Sequence, residues 1–283
     1  MAYKNFDVSP VAGALGAELH GLDLSKPFDE YTLKEVDQAL LEYLVLFFKD
    51  QSLTPDQFKS FVRSFGEIEN HPFIEKIEGD NQIESLDLAR DQGIGPPTSV
   101  LHIDVSMFEI PTKGAALYAV DVGPAGGDTI WVNAYTAYDA LSESMKNFLE
   151  GHRGLFPALH DKVLNQMIKT GPDAFQKAGP FMIVPSEHPL VHTHPKTGKK
   201  ALFVCPLFMR SIVDLNDDES DAIIRFLIQH VSKPEFQCRY HWQNGSIALW
   251  DNLFTIHKRV DDAYDEHRVM HRLAIKGTEA PTL

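Results

Sequence analysis

Cysteine and long apolar runs are both scarce in this sequence, and each absence excludes a class of protein. Two cysteines among 283 residues cannot form a disulfide framework, and Cys205 and Cys238 lie in apolar, strand-like segments that are typical of buried thiols. The longest uninterrupted apolar stretches, such as residues 43–48, are far shorter than the roughly 20 residues of a membrane helix. We therefore expect neither a disulfide-stabilised fold nor a membrane protein.

Positive charge is also scarce. The 26 lysines and arginines face 40 aspartates and glutamates, which gives a formal net charge of −14. Such a surface repels nucleic acid and anionic lipid, although a local basic pocket can still attract a small anion. The sequence also lacks a Pro/Gly/Ser-rich linker and an internal repeat, and because residues 1–7 contain Lys4 and Asp7 without an apolar run we expect no secretory signal. These features favour a single domain, a cytoplasmic location and a small-molecule partner.

Four helix starts are indicated by capping residues that precede apolar side chains at helical spacing. The clearest is Thr54-Pro55-Asp56-Gln57, which supplies an N-cap, an N1 proline and an N3 glutamine before the apolar stripe of residues 58–65. The other three begin at Thr32 with Glu35, at Ser142, and at Asn216 with Glu219. We predict that these helices lie around a core made of other elements.

Most of the remaining apolar segments have the pattern of β-strands, namely residues 115–122, 129–132, 201–205, 236–242 and 269–275. The dipeptide Asn244-Gly245 is typical of a tight turn, so residues 246–250 are predicted to return antiparallel to the strand before them. Many antiparallel strands with a few helices favour a barrel or jelly roll over a parallel α/β sheet.

His102 and Asp104 stand at positions i and i+2, so on a strand their side chains point to the same face and can share one metal ion. The pattern is weak by itself. With 13 histidines and 40 acidic residues, chance alone gives roughly two such triplets in a chain of this length. A structural histidine is therefore the alternative interpretation of His102.

Residues 250–272 contain a distant histidine, His257, and two arginines on a predicted strand. Arg268, Met270 and Arg272 alternate, so both guanidinium groups leave the same face of that strand. If this face looks into the core, the two cations require anions, because an unpaired buried charge costs several kcal/mol. If it faces solvent, both are ordinary surface residues. The alternation alone leaves both interpretations open.

Several short segments occur together in one order along the chain. They are residues 13–18, Phe65-Gly66-Glu67 with His71, His102-Ile103-Asp104, Gly126-Gly127-Asp128-Thr129, His188-Pro189 with Thr193-His194-Pro195, Trp250-Asp251-Asn252 with Thr255 and His257, and residues 268–272. In these segments the sequence resembles the taurine and 2,4-D dioxygenase (TauD/TfdA) family over nearly its whole length. The resemblance implies a mainly β fold with peripheral helices, a double-stranded β-helix of the jelly-roll, cupin-like type that comprises residues 1–283 as one domain.

The same resemblance implies a catalytic site. His102, Asp104 and His257 would form a facial triad that holds Fe(II) and leaves three iron positions for the cosubstrates 2-oxoglutarate and O2. Arg268 and Thr129 match the contacts of relatives to the far carboxylate of 2-oxoglutarate. The implied reaction hydroxylates a substrate C–H bond while 2-oxoglutarate is converted to succinate and CO2.

The resemblance also bears on the substrate. His71 and Arg272 match substrate-contacting positions, and Phe208 is a candidate for an apolar pocket wall. They imply a small organic anion such as an alkyl sulfate, a sulfonate or an aryloxyalkanoate. Departures from the taurine pattern at Ile74, Thr98, Leu101 and Ala158 imply a roomier, more apolar pocket, so we do not expect taurine itself.

Two other classes of protein stay open as alternatives. His188, His192 and His194 are close in sequence and could hold zinc in a hydrolase. A non-enzymatic protein could bind a small ligand in the same cupin-like barrel, but it would need no complete triad. Because relatives in the resembling family are commonly dimers or tetramers, a homo-oligomer is expected by analogy.

Overall fold

The structure is a computed structural model that describes residues 3–70, 74–88, 98–157, 185–263 and 268–283. Within these ranges the chain forms sixteen strands and five α-helices. The strands are β1 (Asp7–Pro10), β2 (Ala17–His20), β3 (Val45–Phe48), β4 (Ile68–Glu69), β5 (Glu84–Asp87), β6 (Gly114–Val122), β7 (Thr129–Asn133), β8 (Arg153–Phe156), β9 (Ser186–Pro189), β10 (Val191–Thr193), β11 (Lys200–Leu202), β12 (Ser211–Ile212), β13 (Gln237–Tyr240), β14 (Ile247–Asp251), β15 (Thr255–Arg259) and β16 (Arg268–Ile275). The helices are α1 (Glu30–Tyr43), α2 (Pro55–Arg63), α3 (Ala134–Asp139), α4 (Glu143–Glu150) and α5 (Asp217–Val231).

The strands form one large sheet and three smaller ones. The large sheet has the order β1-β2-β3-β14-β6-β16-β4, and β5 also pairs with β16. A second sheet has the order β13-β7-β15, and the two others are β12-β8-β9 and β10-β11. Every described strand pair is antiparallel except β2 with β3. The antiparallel, mainly β architecture is the one that the strand pattern predicts.

Aromatic side chains fill the space between the large sheet and the second sheet. Phe47 on β3 stacks on Tyr240 of β13, with ring centroids 3.9 Å apart, and Trp250 on β14 meets Trp131 on β7 at 5.8 Å. All four side chains are buried, and burial of such large rings is a major stabilising contribution. The two sheets therefore face each other across an aromatic core, with the helices outside it.

Three of the four predicted helix starts are confirmed. Thr54, Ser142 and Asn216 are the N-caps of α2, α4 and α5, and each side chain accepts a hydrogen bond from a backbone N–H of the first turn. Helix α3, capped by Asn133, was not predicted because it is only six residues long. Of these described helices, not one combines the length and the apolar character that spanning a membrane requires.

The predicted start of α1 at Thr32 is wrong. The N-cap is Asp29, three residues earlier, and the helix begins at Glu30, because the Asp29 carboxylate accepts a hydrogen bond from the Thr32 N–H. Glu35, which would complete a box with Thr32, instead accepts hydrogen bonds from the backbone N–H groups of Lys4 and Asn5. Asp29 is therefore the N-cap of α1 in place of the predicted Thr32.

The predicted hairpin at Asn244-Gly245 is also wrong, although the turn exists. The Ser246 N–H donates to the Gln243 carbonyl at 2.9 Å, and Gly245 has a positive φ of 84°. The two flanking strands do not pair, however, because β13 pairs with β7 in one sheet and β14 lies between β3 and β6 in the other. The turn therefore connects the two facing sheets.

Candidate metal centre and cosubstrate site

The backbone holds His102 and His257 side by side. The amide N–H of each residue donates to the carbonyl of the other, both at 2.8 Å, so His102 forms an isolated antiparallel bridge to β15. The two imidazole rings then lie with their centroids 4.3 Å apart. A single backbone bridge thus makes neighbours of two histidines that are distant in sequence.

Asn252 fixes the backbone of Asp104. Its Oδ1 accepts a hydrogen bond from the Asp104 N–H at 2.9 Å, and its Nδ2 donates to the Asp104 carbonyl at 3.0 Å. The same amide also donates to the Thr112 carbonyl at 2.9 Å, and Asn252 is completely buried. The chain turns at the next residue, Val105, whose φ of 54° lies in a region that β-branched residues rarely adopt. Backbone strain of this kind is concentrated at functional sites.

The three side chains bring their potential ligand atoms together. The Nε2 atoms of His102 and His257 each lie 3.6 Å from a different oxygen of the Asp104 carboxylate, which is too far for a hydrogen bond. The Nδ1–H of His102 donates to the Val100 carbonyl at 2.7 Å, and this leaves its Nε2 lone pair free for a metal. Among the described residues, this is the only group of three or more His, Cys, Asp or Glu side chains with ligand atoms within 4.8 Å of one another.

The protonation states of these side chains suit a divalent metal. Burial lowers the pKa of His102 below its ordinary value and lowers that of His257 to about 3, so both imidazoles are neutral at pH 7. Burial raises the pKa of Asp104, but the charge of Arg272, with smaller contributions from the histidines, outweighs burial and brings the pKa below its usual range. Two neutral imidazoles and one carboxylate form the donor set of a facial triad.

Arg268 lies at the start of β16, on the buried face. Its Nε donates to the Gly127 carbonyl at 2.8 Å, and its Nη2 lies 3.5 Å from the Thr129 hydroxyl. Gly127 has a positive φ of 65°, and a Cβ there would lie 2.9 Å from Cδ of Arg268, so the turn requires glycine. Burial lowers the pKa of Arg268 to about 9. No described carboxylate forms an ion pair with this guanidinium, which is therefore suited to bind an anion.

Arg272 lies further along the same buried face of β16. Its Nη1 contacts the Glu84 carboxylate, and its Nη2 lies 2.7 Å from Oδ2 of Asp104. Burial alone would lower the pKa of Arg272, but the two carboxylates raise it above its ordinary value. Of the two environments that the alternating pattern allowed, both arginines thus occupy the buried one, and Arg272 is in direct contact with the metal centre.

Phe208 and His71 are the remaining predicted site residues, and only Phe208 lies within the described residues. Phe208 is buried in an apolar cluster that includes Leu101 and Ile103, next to His102, so its contact with substrate stays a prediction. His71 lies outside the described residues, as does Ala158.

The three histidines of the zinc alternative do not converge as ligands. The Nε2 of His188 lies 2.9 Å from the Ser106 carbonyl, and Nδ1 of His194 accepts a hydrogen bond from a backbone N–H two residues on. The His192 ring stacks on Phe254 with centroids 4.3 Å apart. All three histidines are buried, and their contacts are those of structural residues.

Sequence reasoning missed two residues that complete the site. Glu84 lies opposite Arg272 across β5 and β16, and the indole N–H of Trp242 donates to the Thr129 hydroxyl at 3.0 Å. Glu84 is one of 40 acidic residues and is distinguished only by a strand register that the sequence does not reveal. Trp242 lies in the predicted strand 236–242, whose alternation indicates a buried face but not the hydroxyl beside it.

The two facing sheets, the two buried histidines and the partly buried Asp104 define a β-sandwich protein with a facial-triad metal centre. Residues 7–274 match the model of the taurine catabolism dioxygenase TauD, TfdA family, and the chain belongs to that family.

Named relatives agree with this assignment. The chain is 32% identical to an alkylsulfatase of Acinetobacter baylyi, over 97% of this chain and 86% of the relative. It is 30% identical to an alpha-ketoglutarate-dependent sulfate ester dioxygenase of Pseudomonas putida, over 96% of this chain and 89% of the relative. The solved structure of a taurine dioxygenase from Burkholderia xenovorans is similar with a TM-score of 0.83 and 32% identity, over 99% of this chain and 93% of that one.

The comparisons confirm several predictions from the sequence. The fold is a jelly roll whose sheets do not close on themselves. The chain is an Fe(II)- and 2-oxoglutarate-dependent dioxygenase, an oxidoreductase whose cofactor is Fe(II) and whose cosubstrates are 2-oxoglutarate and O2. Its substrates are small organic molecules.

Proposed function

We propose that His102, Asp104 and His257 hold the iron, that Arg268 and Thr129 bind the far carboxylate of 2-oxoglutarate, and that Arg272 receives an anionic group of the substrate. The observation that supports this proposal is the buried face of β16. It presents one arginine without a described carboxylate partner and a second arginine 2.7 Å from Asp104. A dicarboxylate cosubstrate satisfies the charge of Arg268, and an anionic substrate group would join Glu84 and Asp104 as a further anion on Arg272.

Each residue has a defined task in this assignment. When bound, the iron supplies the oxidation of a substrate C–H bond that is coupled to the conversion of 2-oxoglutarate and O2 to succinate and CO2. His102 and His257 donate neutral nitrogen lone pairs, and Asp104 contributes one negative charge. Arg268 offers a planar pair of donors to a carboxylate. The Thr129 hydroxyl already accepts from Trp242, so its own proton is available for a cosubstrate oxygen.

The proposed substrate is a small organic anion, namely an alkyl sulfate, a sulfonate or an aryloxyalkanoate. Arg272 supports an anionic group next to the metal centre. Leu101 and Phe208 lie in a buried apolar cluster beside His102, which supports an apolar remainder. Relatives of this chain are named as sulfate ester and 2,4-dichlorophenoxyacetate dioxygenases, and both names describe anions with an apolar part.

The test is succinate formation by the purified protein with Fe(II), ascorbate, O2 and 2-oxoglutarate. Pools of alkyl sulfates, sulfonates and aryloxyalkanoates are compared with neutral alcohols of the same carbon skeletons. We expect at least one anionic pool to raise succinate well above the alcohols, and His102→Ala to abolish it. Succinate raised equally by the alcohols would reject the anionic substrate class while leaving the reaction class intact.

A second measurement separates a missing substrate from a wrong metal site. Under anaerobic conditions the Fe(II) and 2-oxoglutarate complex is expected to show a visible absorption band in the wild type and in His192→Ala, but not in His102→Ala. Loss of the band in His192→Ala with its retention in His102→Ala would reject the proposed ligand set.

A homo-oligomer, a dimer or a tetramer, and a cytoplasmic location remain predictions. Sedimentation velocity of the full chain measures the first, because a monomer, a dimer and a tetramer of 31.8 kDa subunits sediment at clearly different rates. Fractionation of cells that produce the chain measures the second.

A further inference from the structure

Glu84 is a buried carboxylate to which the proposed function assigns no task. Its side chain has no exposed surface, and it lies between two cations. Oε2 of Glu84 contacts Nη1 of Arg272, and Oε1 lies 3.3 Å from Nζ of Lys76. The antiparallel register of β5 and β16 places Glu84 directly opposite Arg272. One guanidinium therefore contacts both a proposed metal ligand, Asp104, and a second carboxylate that is not a metal ligand.

Pairing of Arg272 alone does not require a second carboxylate, because Asp104 already contacts the same guanidinium. Desolvation of a buried ion pair can cost as much as the attraction between its charges, and replacing both partners by apolar residues of similar volume is often neutral. Alternate positions on β16 already include the apolar Met270 on the same buried face. The charge of Glu84 is therefore better explained by its effect on whatever Arg272 binds.

We propose that Glu84 is a specificity-determining residue that makes the Arg272 end of the site select a singly charged anionic group over a doubly charged group of the same shape. The inference rests on the proposed function, in which Arg272 receives the substrate anion. It narrows the substrate class to sulfate monoesters, sulfonates and monocarboxylates, and it excludes phosphate monoesters.

Electrostatics gives the direction and the rough size of the effect. An anion on Arg272 is attracted by the guanidinium and repelled by Glu84, which contacts the same group. At about 6 Å and an effective dielectric constant near 20, one additional ligand charge changes the affinity through Glu84 by up to about 100-fold, and the opposite charge of Lys76 beside Glu84 lowers this effect toward about tenfold. A sulfate monoester carries one negative charge, whereas a phosphate monoester carries almost two at pH 8. Removing the charge of Glu84 should therefore favour the phosphate selectively.

The experiment measures the binding of hexyl sulfate and hexyl phosphate at pH 8 by calorimetry. The protein is loaded with Mn(II) and N-oxalylglycine, an unreactive analogue of 2-oxoglutarate, so no turnover is involved. In the wild type we expect hexyl phosphate to bind at least about tenfold more weakly than hexyl sulfate, and in Glu84→Gln we expect this ratio to fall by about tenfold.

Three further variants separate charge from packing. Glu84→Asp keeps the charge, and Glu67→Gln removes a charge from an exposed residue, so both should keep the wild-type ratio within about twofold. Lys76→Met removes a cation beside Glu84 and should raise the ratio. Thermal melting of the loaded protein shows whether Glu84→Gln folds. If it does not fold, Lys76→Met still tests the electrostatic effect of Glu84 on the ligand, because removing the cation strengthens the repulsion that Glu84→Gln would remove.

Each outcome has a distinct meaning. A folded Glu84→Gln variant with the wild-type ratio overturns the inference, as does a Glu84→Asp variant that changes the ratio as much as Glu84→Gln does. If neither ligand binds the loaded wild type, alkyl sulfates are removed from the proposed substrate class and the inference fails, whereas the succinate assay still tests sulfonates and aryloxyalkanoates. If both bind the wild type equally well, the proposed class stands and the selective role of Glu84 is rejected.

Discussion

Arg268 is a buried cation that forms no ion pair with a described carboxylate. Burial, with a smaller contribution from the charge of Arg259, lowers its pKa to about 9, which means that the protein destabilises this charge in the absence of an anion. Arg268→Gln should therefore not lower the free energy of unfolding of the metal-free protein. It should weaken binding of N-oxalylglycine to the Mn(II) form about 10- to 100-fold, because hydrogen bonds to charged groups contribute about 1.5–3 kcal/mol.

Arg259→Gln is the matched control for this prediction. Arg259 is a neighbouring cation on β15, but its Nη1 is paired with Asp261 at 2.8 Å. We expect its substitution to change N-oxalylglycine affinity by less than about threefold. Equal losses in both variants would show that general positive charge, and not Arg268 itself, binds the cosubstrate.

Asn252 supports the metal centre through backbone contacts. Asn252→Ala leaves the Asp104 N–H, the Asp104 carbonyl and the Thr112 carbonyl without their partner, and each unsatisfied buried group costs about 1–3 kcal/mol. We expect a loss of about 3 kcal/mol or more in urea unfolding, together with weaker Mn(II) binding. Thr112→Val removes only one hydroxyl acceptor of Asn252 and should cost no more than about 1.5 kcal/mol. Similar costs in the two variants would contradict the role given to Asn252.

The N-cap of α1 gives a prediction about the stability of this helix. Because Asp29 and not Thr32 is the N-cap, Asp29→Ala should cost about 1 kcal/mol of stability, as should Thr54→Ala at the cap of α2. Thr32→Val keeps the side-chain shape and should cost less than about 0.5 kcal/mol. Chemical unfolding of the three variants measures these differences. A large effect of Thr32→Val with none from Asp29→Ala would favour the start that the sequence pattern indicated.

Local chemistry explains which elements could be predicted. Thr54, Ser142 and Asn216 cap their helices through contacts within one turn, so the sequence contains the whole signal. Residues 43–48 form an apolar run that becomes β3 in the large sheet, but such a run does not distinguish a buried strand from a buried helix. The turn at Asn244-Gly245 was found, whereas the partner strands of β13 and β14 depend on contacts distant in the sequence.

The same limit applies to the site. The alternation of Arg268 and Arg272 indicated one shared face, and resemblance to a family related His102 and Asp104 to His257. Two features of the site depend on tertiary contacts between distant segments. One is the reciprocal backbone bridge between the two histidines, and the other is the register that places Glu84 opposite Arg272. No pattern within a single segment reports them.

At the scale of the whole molecule, we expect an acidic chain to bind anions through a few buried arginines. The formal charge of −14 opposes the approach of any anion at long range, but Arg268 and Arg272 are both buried on one face of β16, with Met270 between them. Buried charges are screened much less than exposed ones. The site can therefore remain cationic inside an anionic surface.

Buried neutral histidines make the stability of the whole molecule depend on pH. Burial lowers the pKa of His188 to about 4 and that of His192 to about 3, whereas an unfolded histidine has a pKa of about 6.5. Below pH 6.5 the unfolded chain binds protons that the folded chain does not, so stability falls as the pH falls toward these values. Asp251 opposes this trend, because burial raises its pKa to about 6 and the folded state takes up a proton there first.

His192→Phe tests this account. At pH 5 a histidine that stays neutral in the folded state costs about 2 kcal/mol relative to pH 7.5. We therefore expect the metal-free variant to lose about 2 kcal/mol less stability than the wild type between these two pH values, measured by urea unfolding. Phe203→Leu alters packing against the same ring and should lower stability equally at both pH values. A wild-type pH dependence in His192→Phe would mean that His192 is already protonated in the fold.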